Sequence, residues 1–269
     1  MSLFEAIVIA IIEGITEYLP ISSTAHMVFT AALMRLEEDN NEFLKMFQVS
    51  IQFGAILSIV VLYWKKFFSS EIFNFYKKLA FAVLPALLLG YLLDEKIEAV
   101  LGNVIAIAIV LVIGGVVLLF VDKWFNKPRY FDEKDISIKT AIIIGFWQCL
   151  AMMPGVSRSA ASIIGGMTQG LSRKAAAEFS FFLAVPTMFA VAVYSVFIKT
   201  WDNDMKGYEM ILQDQHHINL FLIGNVVAFI VAMIAVKTFI AVLANYGFKF
   251  WGWYRIIIGI ILLVYFWNY

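Results

Sequence analysis

Glu13 and Glu17 stand four residues apart in the stretch Glu13-Gly14-Ile15-Thr16-Glu17-Tyr18-Leu19-Pro20-Ile21-Ser22-Ser23-Thr24-Ala25-His26, which lies between two strongly apolar runs. On a helix this spacing puts both carboxylates on one face, with Cβ atoms about 5–6 Å apart. Two anions that close in an apolar setting either share a proton or bind a cation. The bland alternative is a solvated pair at a wet membrane edge. Against it, carboxylates at membrane depth are costly and usually functional. Ser22 or Ser23 follows Pro20 at the expected start of a second half-helix, where a hydroxyl caps free backbone N–H groups. His26 comes three residues after Ser23 and shares its helical face, so that a base beside a hydroxyl makes a candidate nucleophile pair. A histidine in an apolar chain is otherwise a satisfied structural residue, whereas His216 and His217 fall in a polar loop and read as solvated.

A second polar stretch, Met153-Pro154-Gly155-Val156-Ser157-Arg158-Ser159-Ala160, resembles the Leu19–Ala25 segment. Gly155 permits a tight turn, and Ser157-Arg158-Ser159 opens another half-helix. Helix N-termini attract anions through free N–H groups and the macrodipole, and a guanidinium offers a two-pronged grip on phosphate. Two such tips facing each other make a phosphate cradle. The carboxylates would repel that phosphate unless a divalent cation bridged them, so the site implies Mg²⁺ or Ca²⁺. Glu178, which opens a later apolar run, is an alternative partner for Arg158, and the residues alone leave that choice open.

These side chains need elements to hold them, and composition says what kind. The 269 residues are 62% hydrophobic and 15% charged, which defines an integral membrane protein. Formal net charge is zero, which argues against nucleic acid as a partner. The first apolar run contains Glu5, Glu13 and Glu17 with no Arg-rich leader before it, so no removable signal peptide is expected. The single cysteine, Cys149, is expected to pack inertly.

Spanning a bilayer takes about 20 mostly apolar residues. Six stretches qualify, at roughly 44–64, 78–93, 100–121, 176–198, 218–243 and 252–269. Two further regions, about 2–34 and 139–170, are apolar at both ends but interrupted by Pro20 and Pro154 beside serine-rich tips. Irregular backbone at membrane depth is tolerated only where protein buries it or where it lines a wet cavity, so these regions are predicted to be re-entrant helix–turn–helix hairpins. The expected fold is therefore all-α, one membrane domain over 1–269, with six transmembrane helices and two re-entrant hairpins. Hairpin plus three spans occurs twice, in repeats of about 1–121 and 139–269. Three crossings separate the copies, which predicts an inverted-topology repeat whose tips meet near the midplane.

Lys and Arg set the expected orientation. Loops on one side hold twelve (Lys65, Lys66, Lys77, Lys78, Lys123, Lys127, Arg129, Lys134, Lys139, Arg173, Lys174 and Lys249) against five (Arg35, Lys45, Lys96, Lys199 and Lys206) on the other. The basic side is expected to be cytoplasmic, leaving both termini and the mouth of the first hairpin outside. Lys237 and Arg255 fall within or at the edges of apolar segments and are expected to snorkel or pair structurally. Arg158 has no such exit.

The chain resembles the undecaprenyl-pyrophosphate phosphatase family, the BacA-type bacitracin-resistance proteins, over essentially its full length. The family's E-x-x-x-E motif appears as Glu13-Gly14-Ile15-Thr16-Glu17, and its more specific P-G-x-S-R-S-x-x-T motif as Pro154-Gly155-Val156-Ser157-Arg158-Ser159-Ala160-Ala161-Ser162. The S-S-T-G-H motif reads Ser22-Ser23-Thr24-Ala25-His26, and Glu178–Pro186 is similar to a further family stretch. Ala25 replaces an expected glycine, and Ser162 replaces threonine while keeping the hydroxyl. The resemblance implies removal of the terminal phosphate of the C55 lipid undecaprenyl pyrophosphate, with recycling of the carrier for peptidoglycan synthesis and bacitracin resistance. It implies a bacterial cytoplasmic membrane, a polyprenyl pyrophosphate and membrane lipids as partners, and leaves a homodimer open. Carried over residue by residue, Glu13 and Glu17 bind the metal. Arg158, with Ser22, Thr24, Gly155, Ser157, Ser159 and Ser162, holds the pyrophosphate, and Ser23 with His26 supplies the nucleophile or its activation. Whether Ser23 attacks phosphorus or positions water stays open. Broken helices and inverted repeats are also typical of secondary transporters, so a carrier of lipid phosphate or small anions is the rival expectation.

Overall fold

The computed structural model describes residues 1–36, 42–68, 72–101, 103–201 and 204–267, so the expected outward position of the C-terminal residues 268–269 lies outside the described part. The described residues form helices in this order: α1 (Leu3–Thr16), α2 (Ser23–Leu33), α3 (Glu42–Ser50), α4 (Gln52–Leu62), the single turn α5 (Trp64–Phe67), α6 (Ile72–Leu101) and α7 (Val104–Trp124). After these come α8 (Ile138–Cys149), α9 (Arg158–Thr168), α10 (Arg173–Val193), α11 (Gly207–Leu212), α12 (Gln215–Tyr246) and α13 (Lys249–Trp267). Among the described residues six runs are long and apolar enough to cross a membrane: Glu42–Leu62, Phe73–Leu93, Val104–Trp124, Arg173–Ile198, Gln215–Leu243 and Lys249–Trp267. The chain is an all-α, multi-pass membrane protein.

These runs fall where hydropathy puts them, but helix length does not follow hydropathy everywhere. The expected short span at 78–93 belongs to a 30-residue helix with Pro85 inside it. Polar Asp94, Glu95 and Lys96 end the apolar run without ending the helix, because Glu and Lys are good helix formers. The apolar faces left on the outside of the bundle, for instance Ile109, Ile113, Val116 and Phe120 along α7, are exposed, as lipid-facing surface must be.

The helices that flank the two serine-rich tips are of a different kind. α1 has 14 residues, α2 has 11, α8 has 12 and α9 has 11. Even α1 is only about 21 Å long, short of a hydrocarbon core of about 30 Å. α1 and α2 meet at a turn over residues 17–22, and α8 runs through a 3₁₀ turn (Leu150–Met152) into the turn that opens α9. α1 packs along α12, α8 against α6 and α9, and α13 along α7. The last pair approaches closely because Gly115 and Gly252 face each other; a Cβ on Gly115 would lie 2.8 Å from the Gly252 carbonyl oxygen.

The tips of the two short-helix pairs sit in the largest core cluster, with Tyr18, Leu19, Ile21, Ala160, Ile163 and Phe181 packed together. Basic loops gather at one end of the bundle. There Lys66 pairs with Glu133, Lys78 Nζ donates to the Lys134 carbonyl at 2.8 Å, and Arg173 Nε meets Asp122 Oδ1 at 2.7 Å. The N-terminus lies beside the start of α12, where the Met1 carbonyl is 3.0 Å from His216 Nε2. Lys237 is exposed on α12, as a snorkelling lysine would be. Arg255 follows the other alternative, structural pairing: it is 1% exposed, and its partners are backbone carbonyls. Cys149 has a free thiol that donates to the Gly145 carbonyl at 3.3 Å, in keeping with a packing role.

Candidate active site

Each tip is built by the same local device. Ser22 is the N-cap of α2 and Ser157 the N-cap of α9, and their side-chain oxygens accept from Ala25 N and Ala160 N at 3.4 and 3.2 Å. Both serines have positive φ, 71° and 76°, which a residue with a side chain rarely adopts. Such a conformation costs about 1–3 kcal/mol and persists only when its surroundings over-determine it. The first residue of the following helix is then Ser23 in one case and Arg158 in the other. The tips also grip each other. Ser159 Oγ donates to the Tyr18 carbonyl at 2.7 Å and Ser157 Oγ to the Leu19 carbonyl at 3.4 Å.

Glu17, immediately after α1, is the point where the two tips meet. Its Oε1 takes Arg158 Nη2 at 2.6 Å, and its Oε2 accepts from Ser23 Oγ at 2.7 Å. Arg158 also donates through Nη1 to the Ser180 carbonyl at 3.1 Å, and its guanidinium carbon lies 5.7 Å from the centre of the Tyr18 ring. Ser162 Oγ is 2.6 Å from Ser180 Oγ and 2.8 Å from the Arg158 carbonyl, which ties the first turn of α9 to α10. Arg158 therefore pairs with Glu17, not Glu178. Glu178 lies toward the basic loops, within electrostatic reach of Glu133, Lys66 and Lys174.

Where the tips meet, Arg158 Nε and both carboxylate oxygens of Glu13 are buried without a hydrogen-bond partner. Buried polar groups are almost always satisfied, so an orphaned set beside a hydroxyl and a guanidinium calls for a ligand. The unpartnered oxygens of Glu13 suit a hard divalent cation, which prefers oxygen donors. Glu17 offers it less, since both of its oxygens are already engaged. No group of three or more His, Cys, Asp or Glu that could hold a metal occurs among the described residues. A cation here would have Glu13 as its main protein ligand and would need phosphate oxygens or water for the rest.

The other expected site residues divide. Thr24 is half-buried on the first turn of α2, and Gly155 turns the second tip at φ 96°. His26 is turned away from the hydroxyl it was expected to activate. Its Nδ1 lies 2.8 Å from the Ser22 carbonyl and its Nε2 2.9 Å from the Tyr254 hydroxyl, with the two rings stacked at 5.7 Å. Ser23 takes Glu17 as its acceptor instead, because the turn between α1 and α2 folds position 17 back over position 23. Sequence reasoning also gave no role to Ser180, Tyr254 or Tyr18, whose contributions run through a carbonyl, a phenol and a ring face. The one signal for them was the polarity of Ser180 and Tyr254 within apolar runs.

An all-α membrane protein whose two serine-capped helix starts bring a hydroxyl, a carboxylate and a guanidinium together defines a class: membrane-embedded proteins built to handle phosphate groups. Residues 6–261 match the family model described as bacitracin resistance protein BacA, and the chain belongs to that family. It is 51% identical over 265 residues to a protein of Flavobacterium johnsoniae named undecaprenyl-diphosphatase, covering 98% of this chain and 96% of the relative. A protein of the same name from Porphyromonas gingivalis is 45% identical over 281 residues, with 98% and 96% covered. One from Aquifex aeolicus is 40% identical over 268 residues, with 99% of each chain covered.

Proposed function

We propose that this protein is an undecaprenyl-diphosphate phosphatase, hydrolysing undecaprenyl pyrophosphate to undecaprenyl phosphate and inorganic phosphate. In this role it recycles the lipid carrier for peptidoglycan synthesis and confers bacitracin resistance. The names of the relatives support the substrate. The observation that carries the chemistry is the chain Ser23–Glu17–Arg158, in which a buried carboxylate accepts from a hydroxyl on one tip and a guanidinium on the other.

That chain supports the following division of parts. Ser23 Oγ attacks the terminal phosphorus, its proton passes to Glu17, the anhydride P–O bond breaks, and undecaprenyl phosphate leaves. The proton held by Glu17 goes to the departing undecaprenyl phosphate; water then cleaves the phosphoserine, with Glu17 taking the water proton and returning it to the Ser23 oxygen as inorganic phosphate leaves. Arg158 offers its free Nε to the phosphate from the start of α9, where the helix N-terminus adds to the field. An incoming phosphate competes with Glu17 for the guanidinium, which frees the carboxylate to act as base. Glu13 holds the divalent cation, Mg²⁺ or Ca²⁺, which when bound neutralises phosphate charge. His26 orients the first tip rather than taking the Ser23 proton.

The two short-helix pairs enter the bilayer without crossing it and are related as inverted repeats. Their shared serine caps at positive φ support this. The gathering of basic loops at one end supports a cytoplasmic position for that end, in the bacterial inner membrane, with the first tip reached from outside. The test is release of inorganic phosphate from undecaprenyl pyrophosphate by the purified protein. Wild-type protein should release it and leave undecaprenyl phosphate intact; transport of lipid phosphate across a vesicle without bond cleavage would overturn the assignment.

A further inference from the structure

The phosphatase mechanism does not use Arg255, yet its side chain is tied to both tips of the site. It projects from the middle of α13 and is 1% exposed. Nε donates to the Leu111 carbonyl at 3.2 Å, Nη1 to the Pro20 and Val156 carbonyls at 3.2 and 2.9 Å, and Nη2 to the Gly155 carbonyl at 2.6 Å. The guanidinium thus bonds both tips and the helix α7 beside them. Space for it comes from a missing side chain on α7, since a Cβ on Gly114 would overlap Nη2. The neighbouring residue acts in the same direction: Tyr254 holds His26 on the first tip.

The geometry explains why a planar, five-donor group stands here. A trans peptide is flat, so fixing the direction of one carbonyl fixes the N–H of the next residue in the opposite direction. With the Val156 carbonyl on Arg255, the Ser157 N–H points away from it; with the Pro20 carbonyl on Arg255, so does the Ile21 N–H. The clamped peptides lie just before the two serine caps with positive φ, Ser22 two residues after Pro20 and Ser157 one residue after Val156. Those caps set the first residues of α2 and α9, Ser23 and Arg158.

We propose that Arg255 is a positioning residue: it locks the two tips in the register that brings Ser23 and Arg158 onto Glu17. The proposal rests on the phosphatase reading for its kinetic consequence but not for its structural one. Lysine in its place keeps the charge and loses the fork, so it can serve only part of the carbonyl set.

The experiment compares wild type with R255M, R255K and G114A in nanodiscs, measuring kcat and KM for phosphate release and hydrogen exchange of the backbone amides. Displacing a reacting group by about 1 Å costs roughly 10²-fold in rate, so kcat should fall on that scale in R255M, less in R255K, with KM changed by no more than about 3-fold. Exchange should rise in the peptides covering both tips, residues 17–25 and 153–160, while the crossing helices keep wild-type protection. G114A leaves Arg255 in the chain but pushes the guanidinium aside, so it should reproduce the same pattern if R255M does not fold. Wild-type kcat in these variants would overturn the proposal. So would exchange that stays unchanged at the tips, or that rises evenly through the bundle, the mark of simple destabilisation. If wild-type protein itself releases no phosphate, the phosphatase reading falls, and the exchange data alone decide the clamp.

Discussion

Replacing Arg158 by lysine separates a guanidinium that grips developing charge from one that only neutralises Glu17. The native side chain makes three kinds of contact: an ion pair to Glu17 at 2.6 Å, a bond to the Ser180 carbonyl at 3.1 Å and an approach to the Tyr18 ring at 5.7 Å. Its Nε is unpartnered. A lysine can follow Glu17 but cannot at once reach Ser180 and present a second N–H to phosphate. If Arg158 serves only as the structural partner of Glu17, the loss is one hydrogen bond to a carbonyl, about 0.5–1.5 kcal/mol, or at most roughly 10-fold in rate. If Nε binds phosphate as negative charge builds in the transition state, the loss is that of one oxyanion donor, about 2.7–4 kcal/mol, or roughly 10²–10³ in kcat. Steady-state phosphate release from undecaprenyl pyrophosphate in detergent micelles measures both parameters. The expected result is a fall in kcat and in kcat/KM together, of the larger size. A lysine variant within about 10-fold of wild-type kcat would refute the assignment and leave Glu13, the cation and the helix N-termini as the only grip on phosphate.

Ser23→Ala should cost more kcat than His26→Gln, because the Ser23 hydroxyl is bonded to Glu17 while His26 is bonded to Ser22 and Tyr254; the reverse order in the same assay would restore His26 as the base. EDTA should abolish phosphate release and Mg²⁺ or Ca²⁺ restore it, and Glu13→Gln should raise the cation concentration needed for half-maximal rate. Full activity in chelator would remove the cation from the mechanism. An impermeant thiol reagent should label Gln213→Cys from outside and Asn126→Cys only after the membrane is opened, each in a Cys149→Ala background. The opposite pattern would put the first tip's entrance in the cytoplasm.

Hydropathy alone determined the class of this protein and its six crossing runs, because in a bilayer each span must satisfy its own backbone and bury its own length of apolar surface. Local chemistry also carried the tips: proline, then a serine able to cap the next helix, is written at Pro20–Ser23 and at Pro154–Ser157. Partners were another matter. Glu17 and Arg158 are 141 positions apart, and nothing in either neighbourhood says that they meet rather than Arg158 and Glu178. Spacing along a helix paired Ser23 with His26, but the chain reverses between α1 and α2, and across that turn Glu17 is the group that reaches the hydroxyl. Arg255 was hardest to place, because its partners are four carbonyls, and every residue has one. Sequence names side chains and their periodicity; which backbone oxygens converge on one buried cation is settled only when α13 packs on α7 with both tips beside it.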